Sequence, residues 1–585
     1  MTDSAVHVTA SETSGRASRL PLVIIILAQI QMAFNVTALP VSIGGIVEEY
    51  DVPATAVGTA LVVYSLVVAA FVMLGSLIGK RVGTRLLFQV TALIHGASML
   101  LMAMSGSPEM MVVAQAIAGL AAAGLVPCLV VLIAANYSGP SQAEALGWLA
   151  GTPAIASVLA FLITGFLATA LTWRLAFALL AGVAILVMLL SLKLPRVAPR
   201  HELRIDLVGA GLAAVSVILI SIGINLMLSW GALTATPEAP VALLRLSPAP
   251  FLVVLGLVAG QSFFAWSLRQ GRTGRPALLD LEILDSREER HATFALLIVG
   301  ALGPAVNFLI PLYIQIVQGR TSLQMAVVTI PYTIAIFSAA VLVVRLYPQL
   351  SPRQIGCAGF VSAATGLAIL AFGVGNEWGT ARVVTGLIIL GLGEGALLTL
   401  LFNVLVSSSP PALAGDVGAL RGTANNLSTA LGTALASLIS IGLLSAFVAG
   451  QVSEDPAFPP SLVAQVPLDQ VDFISNDQLE EFLEDTTATS DQVRQAVQVN
   501  INARLRALKG TFLILAAVAL LAVVPSLRLP SYREGAEDSR VRSPVPADVE
   551  VPRGLPRSAQ APTAAVNGMP RPNMPPNGSA SSETR

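Results

Sequence analysis

The sequence predicts an all-α polytopic membrane protein that crosses the bilayer fourteen times, grouped as six, two and six spans. Three observations predict it. Of 585 residues, 55% are apolar and 11% charged, against about 25% charged in a soluble domain. Apolar runs of the length a crossing requires, about 20 residues, recur along the chain. Basic residues gather in alternate short connections, the asymmetry that orients membrane helices. A net charge of −1 carries no footprint for nucleic acid. Cys128 and Cys357 both fall inside apolar runs and read as packing residues, not as a disulfide or a metal site.

Residues 1–19 are polar and form a cytoplasmic N-terminal segment. The first run, 20–46, is too long for a signal-peptide core and lacks a small-residue cleavage site, so it is a retained span. Runs at 55–79, 87–105, 110–135, 144–170 and 174–193 complete a six-helix half over 20–193. A basic linker, Lys193 to Arg204, leads to runs at 206–230 and 249–268. A second charged linker, Arg269 to Arg290, closes this inserted pair, assigned to 194–290. Runs at 292–318, 322–345, 354–374, 380–406, 416–448 and 510–528 make the second half, 291–530. Those at 20–46 and 416–448 exceed one bilayer thickness and are expected to tilt or extend beyond the hydrocarbon.

Lys80, Arg81 and Arg85 follow the second run, Lys193 to Arg204 the sixth, and Arg269 to Arg290 the eighth. All three connections share one side if both termini are cytoplasmic. The first opposite-side connection carries Glu48, Glu49 and Asp51 and no base. A long opposite-side loop, 449–509, is acidic at Glu480, Glu481, Glu484 and Asp485. In it Thr489 and Gln492 form a capping box, and Val493, Val497, Ile501 and Leu505 recur every four residues. That spacing predicts an amphipathic helix packed on the outer mouth, or else a partner-binding element. The tail, 531–585, is rich in Pro, Ser, Ala and Arg and is expected to be disordered and cytoplasmic.

One acid stands apart. Glu394, in Gly391-Leu392-Gly393-Glu394-Gly395, lies deep inside a run. A carboxylate at the membrane centre costs roughly 2.5–3.5 kcal/mol on insertion scales, so such a residue marks an ion or proton site or half of a polar pair. The plainer alternative is a protonated acid bonded to a nearby carbonyl. The flanking glycines let another helix or a solute approach. Amides supply the other polar groups: Gln31 and Asn35 share a helix face four residues apart, and Asn307 and Gln315 share one eight apart. With Gln115 the first two make a neutral cavity patch, or simply interhelical hydrogen bonds worth about 0.6 kcal/mol each. Asn425 and Asn426 join the cavity candidates, Arg421 reads as an anchor at a helix end, and His95 as a lone packing histidine.

Several local patterns, in order and spacing, resemble the fourteen-span drug:proton antiporter family of the major facilitator superfamily. Asn35-Val-Thr-Ala-Leu-Pro40 is similar to its first-span ending, and Thr172-Trp173-Arg174-Leu-Ala-Phe177 to its entry into the sixth span. Pro276 to Ile283 resembles the stretch before the ninth span, and Pro311 to Pro331 the ninth and tenth spans. The resemblance implies two six-helix halves around a central cavity plus two inserted helices, working by alternating access. Departures are specific. In the loop after the second span Arg81, Gly83 and Arg85 match the superfamily motif, but Lys80 replaces its Asp. Gln31 and Gln115 stand where the family places Asp and Arg. Gly151 and Pro153 retain part of the fifth-span antiporter motif, and Gly418 to Gly432 resembles the glycine-rich thirteenth span.

These readings converge on a secondary transporter in the cell membrane that exports amphipathic or hydrophobic organic compounds, coupled to protons through Glu394. Its partners are a small amphipathic solute, protons and the lipid bilayer; no cofactor is expected, and the chain is expected to act as a monomer. Two alternatives stand beside it: a non-pumping transporter-like sensor or scaffold, and a lipid transporter without the usual proton coupling. An enzyme is disfavoured, since no His-Glu-x-x-His, Gly-x-Ser-x-Gly or paired intramembrane carboxylates occur.

Overall fold

The computed structural model describes residues 19–531 apart from 138, 196–205, 237–238, 241–244, 274, 276, 280–285, 347–348, 376–378, 409–413, 455–472, 474–475, 485 and 487. The tail and much of the acidic loop therefore lie outside the described residues, as do Arg196, Arg200, Arg204 and Pro276.

The helices are α1 (Leu20–Val41), α2 (Ile43–Tyr50), α3 (Thr55–Val82), α4 (Thr84–Ala103), α5 (Pro108–Asn136), α6 (Gly139–Ala170) and α7 (Arg174–Ser191). Then come the inserted pair, α8 (Leu207–Trp230) and α9 (Ala249–Arg272). The second half holds α10 (Arg287–Pro311), α11 (Ser322–Leu346), α12 (Pro352–Gly373), α13 (Thr380–Ser408), α14 (Ala414–Glu454), α15 (Asn476–Glu484), α16 (Ser490–Leu521) and α17 (Val523–Ser526). Among the described residues, fourteen helices are long and apolar enough to cross a membrane.

The two halves pack by the same rules. In the first, α3 and α4 lie on α5, α4 on α7, and α1 on α6. In the second, α11 and α12 lie on α13, α12 on α16, and α10 on α14, the same pairs in the same order. The halves meet along two seams, α3 with α14 and α6 with α11, which a two-fold relation would exchange. The inserted α8 spans the first seam. Ala214 and Val217 of α8 join Val62, Leu66, Ala69 and Ala70 of α3 and Ala430 and Ala434 of α14 in one cluster. Asp206 fixes its start, accepting from Gly209 N–H at 2.8 Å and from the Trp266 indole of α9 at 3.0 Å.

The first apolar run is not one unbroken helix; it breaks at Ser42. The Ser42 N–H turns back to Ala38 and Leu39 carbonyls, its hydroxyl bonds Ala38 O at 2.9 Å, and α2 starts afresh. Beyond the break Glu49 accepts from Arg174 at 2.6 Å and from the Trp173 indole at 2.7 Å. An acid of the first connection thus ties α2 to the start of α7. Pro311 has no N–H to give to the carbonyl of Asn307, four residues back, and a π-helical turn, Leu312–Val317, follows it.

The capping box of Thr489 and Gln492 is present. The amphipathic segment it opens is not a separate surface helix; it runs without a break into the last span as α16. Its buried stripe is also rotated from the expected one, passing through Val497, Asn500, Arg504 and Leu508. A strict four-residue spacing drifts about 40° per step around a helix of 3.6 residues per turn, so Ile501 and Leu505 end on the edge, half-buried. Arg504 is stabilised there by donating to Asn476 of α15.

Candidate functional site

Glu394 sits in α13 and is buried. Its carboxylate accepts from the hydroxyl of Tyr332 on α11. It also lies where a Cβ at Gly303 of α10 would stand, so glycine at 303 leaves the space that the carboxylate fills. Neither ion pair found among the described residues involves it. The surrounding glycines do what their spacing implies. A Cβ at Gly391 would meet Tyr332 O at 2.7 Å, one at Gly395 would run into Ile336 O, and one at Gly393 would meet Ala363 N at 2.7 Å. α13 is thereby pressed between α11 and α12, and the acid projects toward α10 and α11.

The amides of the first half form two pairs. Asn35 and Gln115 exchange two hydrogen bonds, at 2.9 and 3.1 Å. Gln31 bonds the Nδ1 of His95 at 2.9 Å, so the histidine is not alone. All four are buried. Gln31 Oε1 and His95 Nε2 have no partner among the described residues. Interhelical bonding describes these groups in this state, with α1 tied to α4 and α5.

Gln315 lies in the π-helical turn and joins the halves. Its amide donates to Pro40 O at 3.2 Å, and its oxygen accepts from Gly44 N–H at 3.0 Å and from the Ser322 hydroxyl at 2.9 Å. Replacing Gln315 by leucine is expected to loosen this end of the cleft. Ser322→Cys, at a buried position, should then react several-fold faster with a membrane-impermeant maleimide when combined with Gln315→Leu than on its own; an equal rate would show that the bridge does not hold the end closed.

The remaining candidates divide. Asn307 is half-buried on α10. Asn425 is exposed on α14, whereas Asn426 turns back to Gly422 O at 2.9 Å, one turn earlier in the same helix. Lys80 and Arg81 are exposed in the last turn of α3, where cations suit the carbonyl end of a helix. Gly83 has φ 107°, a conformation glycine tolerates, and turns the chain into α4. Arg85 donates to Leu192 O at 2.6 Å. Gly151 and Pro153 lie in α6, and the nearest side chain to a Cβ at Gly151 is Phe337 of α11, at 3.7 Å. No sequence motif singles out Tyr332 or Gly303; the available signal is a tyrosine beside Pro331 in an apolar run, since a buried phenol usually finds a partner.

A family profile described as the Major Facilitator Superfamily matches residues 25–433. The multidrug efflux pump LfrA of Mycolicibacterium smegmatis is 29% identical over 417 residues, 71% of this chain and 79% of that protein. A probable actinorhodin transporter of Streptomyces coelicolor is 26% identical over 67% of each chain. The puromycin resistance protein pur8 of Streptomyces alboniger is 25% identical over 76% of this chain and 87% of its own length. Among solved structures, an inward-facing, occupied bacterial homologue of the human lysosomal transporter Spinster superposes with a TM-score of 0.55 at 15% identity. That match covers 87% of this chain and 97% of the other, a likeness of fold.

Proposed function

The chain belongs to the Major Facilitator Superfamily, and on that premise we propose that it exports amphipathic or hydrophobic organic compounds by alternating access, with Glu394 as the group that takes up and releases the driving proton. It is a multi-pass membrane transporter, not an enzyme. The multidrug efflux pump and a cephamycin export protein among its relatives support the solute class. The observation that carries the proton reading is the buried Glu394 itself, bonded to Tyr332, packed over Gly303 and without an ion pair among the described residues. A carboxyl can exchange a proton, whereas the amides of Gln31, Asn35 and Gln115 carry no charge to switch. The basic ends of the spans, with Lys80 and Arg81, are proposed to face the cytoplasm, both termini with them.

Inverted membrane vesicles test this reading. Imposing an inward-acid gradient should drive uptake of a hydrophobic dye, and an uncoupler should abolish it. Absence of transport across several solute classes would overturn the proposal in favour of a non-pumping sensor or scaffold, and uncoupler-insensitive movement of phospholipid would favour a lipid transporter. Tyr332→Phe removes one hydrogen bond to a carboxyl, an interaction worth roughly 1.5–3 kcal/mol when charge is involved. It is expected to slow uptake about tenfold without abolishing it, measured as the initial rate at a fixed gradient.

A further inference from the structure

Two buried pairs tie α1 to its own half, and they differ. Asn35 and Gln115 exchange two hydrogen bonds, so that pair is closed. Gln31 and His95 share one. It leaves Gln31 Oε1 and His95 Nε2 without a partner among the described residues, although both side chains are fully buried. Buried polar atoms are rarely left open without a reason. With Gln31 Nε2 donating to Nδ1, the neutral ring carries its hydrogen on Nε2. A proton added at Nδ1 turns that atom from acceptor into donor. The same amide can answer by a half-turn that offers Oε1 in place of Nε2. An amide therefore serves both forms of an imidazole, whereas a carboxylate only accepts and an ammonium only donates.

The helices around His95 hold no other group that changes charge near neutral pH. α4 packs on α5 and α7 and touches α3, and Gln31 brings in α1. α1 has no ionisable residue. α5 has Glu109 in its first turn and Cys128. α7 has only Arg174 at its start, which donates to Ala103 O at 3.1 Å, eight residues along α4 from His95. α3 has Tyr64, with Lys80 and Arg81 in its last turn, and α4 itself has Arg85 in its first. The charged groups thus sit at helix ends, and phenols and thiols ordinarily lose their protons above neutrality. Imidazole is the side chain whose ordinary titration falls between about pH 5 and 8.

The two helices that the pair joins are held differently. α4 is fixed on its own half: a Cβ at Gly96 would run into Ala184 of α7, and one at Gly124 of α5 would meet Thr91 at 2.6 Å. α1 borders the other half, touching α10 and α11, with Gln315 holding its Pro40 carbonyl. The bond between Gln31 and His95 therefore links a fixed helix to one that meets the other half.

We propose that His95 is a proton-binding site separate from Glu394, and that the Gln31 amide conveys its occupancy to α1. The charged ring bonded to the amide oxygen makes the stronger of the two bonds, so α1 is held more firmly on α4 and the halves rock more slowly as the site fills. Only the effect on rocking rests on the transporter reading; the proton site does not.

The full chain, reconstituted with isotope-labelled histidine, tests the site by solid-state nitrogen NMR, with the His95 signals identified by their loss in His95→Gln. They should read as one bare and one protonated nitrogen at the alkaline end of the range from about pH 5 to 8, and as two protonated nitrogens at the acid end. A ring that stays neutral throughout would overturn the proposal. The effect on rocking is measured in Glu394→Gln, where the driving proton is out of play, with equal pH on both faces and a hydrophobic dye moving down its own gradient. The rate should fall several-fold toward acid pH, and adding His95→Gln should make it flat. Glutamine at 95 can still bond the Gln31 amide, so a packing role alone would leave the profile as it was. Adding Gln31→Glu instead should move the midpoint upward by about one to three pH units, because a neighbouring carboxylate favours the protonated ring. His291→Gln, in the first turns of α10, is the control and should change nothing. A rate already flat in Glu394→Gln, a pH dependence that survives His95→Gln, or a midpoint unmoved by Gln31→Glu would overturn the link to α1. A parent chain whose His95 titrates but that moves no dye would overturn the export reading and leave the proton site standing.

Discussion

Glu394→Gln is expected to abolish proton-driven uptake while leaving the chain folded. Glutamine has the same shape as glutamate, so it fits above Gly303 and still offers Tyr332 an oxygen to donate to. The substitution removes little except the exchangeable proton. Uptake of a hydrophobic dye into inverted vesicles should therefore fall to the level of vesicles without the protein under an imposed proton gradient. Movement of the same dye down its own concentration gradient should persist, because the helices that rock are intact. Melting of the purified variant should match the parent. Unchanged gradient-driven uptake in the variant would remove Glu394 from the mechanism.

The second large effect is on stability. Gly395→Val is expected to lower the melting temperature sharply or to prevent recovery of folded protein. A Cβ there would occupy the position of the Ile336 carbonyl of α11, which is backbone and cannot rotate aside. Inserting carbon into a close-packed interface costs about 1–3 kcal/mol and sometimes more, and small residues are what let membrane helices approach this closely. Displacing α11 also displaces Tyr332, so surviving protein should show reduced uptake. Gly182→Ala, on α7, is the control: nothing lies within 4 Å of a Cβ there, and removing a helical glycine is worth up to about 1 kcal/mol in favour of folding. A Gly395→Val chain that melts with the parent would show that α11 and α13 are free to separate.

Much of this protein is legible without coordinates, for reasons peculiar to membranes. Length and apolarity locate the spans because a bilayer imposes both. Glu394 is conspicuous because its surroundings are otherwise uncharged. The capping box at Thr489 is legible because its two partners are three residues apart. What escapes the sequence is whatever depends on a neighbour distant along the chain. Gln31 and His95 are 64 residues apart and Tyr332 and Glu394 62, and spacing on one helix says nothing of a partner on another. The break at Ser42 escapes because the run stays apolar through it. The buried stripe of α16 escapes because it includes an arginine and an asparagine, which a hydrophobic pattern assigns to the surface.

The bridge made by Gln315 has a consequence for how the first span moves. In an unbroken helix the Pro40 carbonyl would take its hydrogen from the Gly44 N–H. Here the side-chain amide of Gln315 bonds both, giving a hydrogen to one and accepting from the other, while the Pro40 carbonyl also takes a backbone N–H at the end of α1. Under the proposed alternating access, parting of the halves at this end would break both of these side-chain bonds and leave the angle between α1 and α2 free to change. Gln315 would thereby tie the bend between α1 and α2 to the closeness of the two halves.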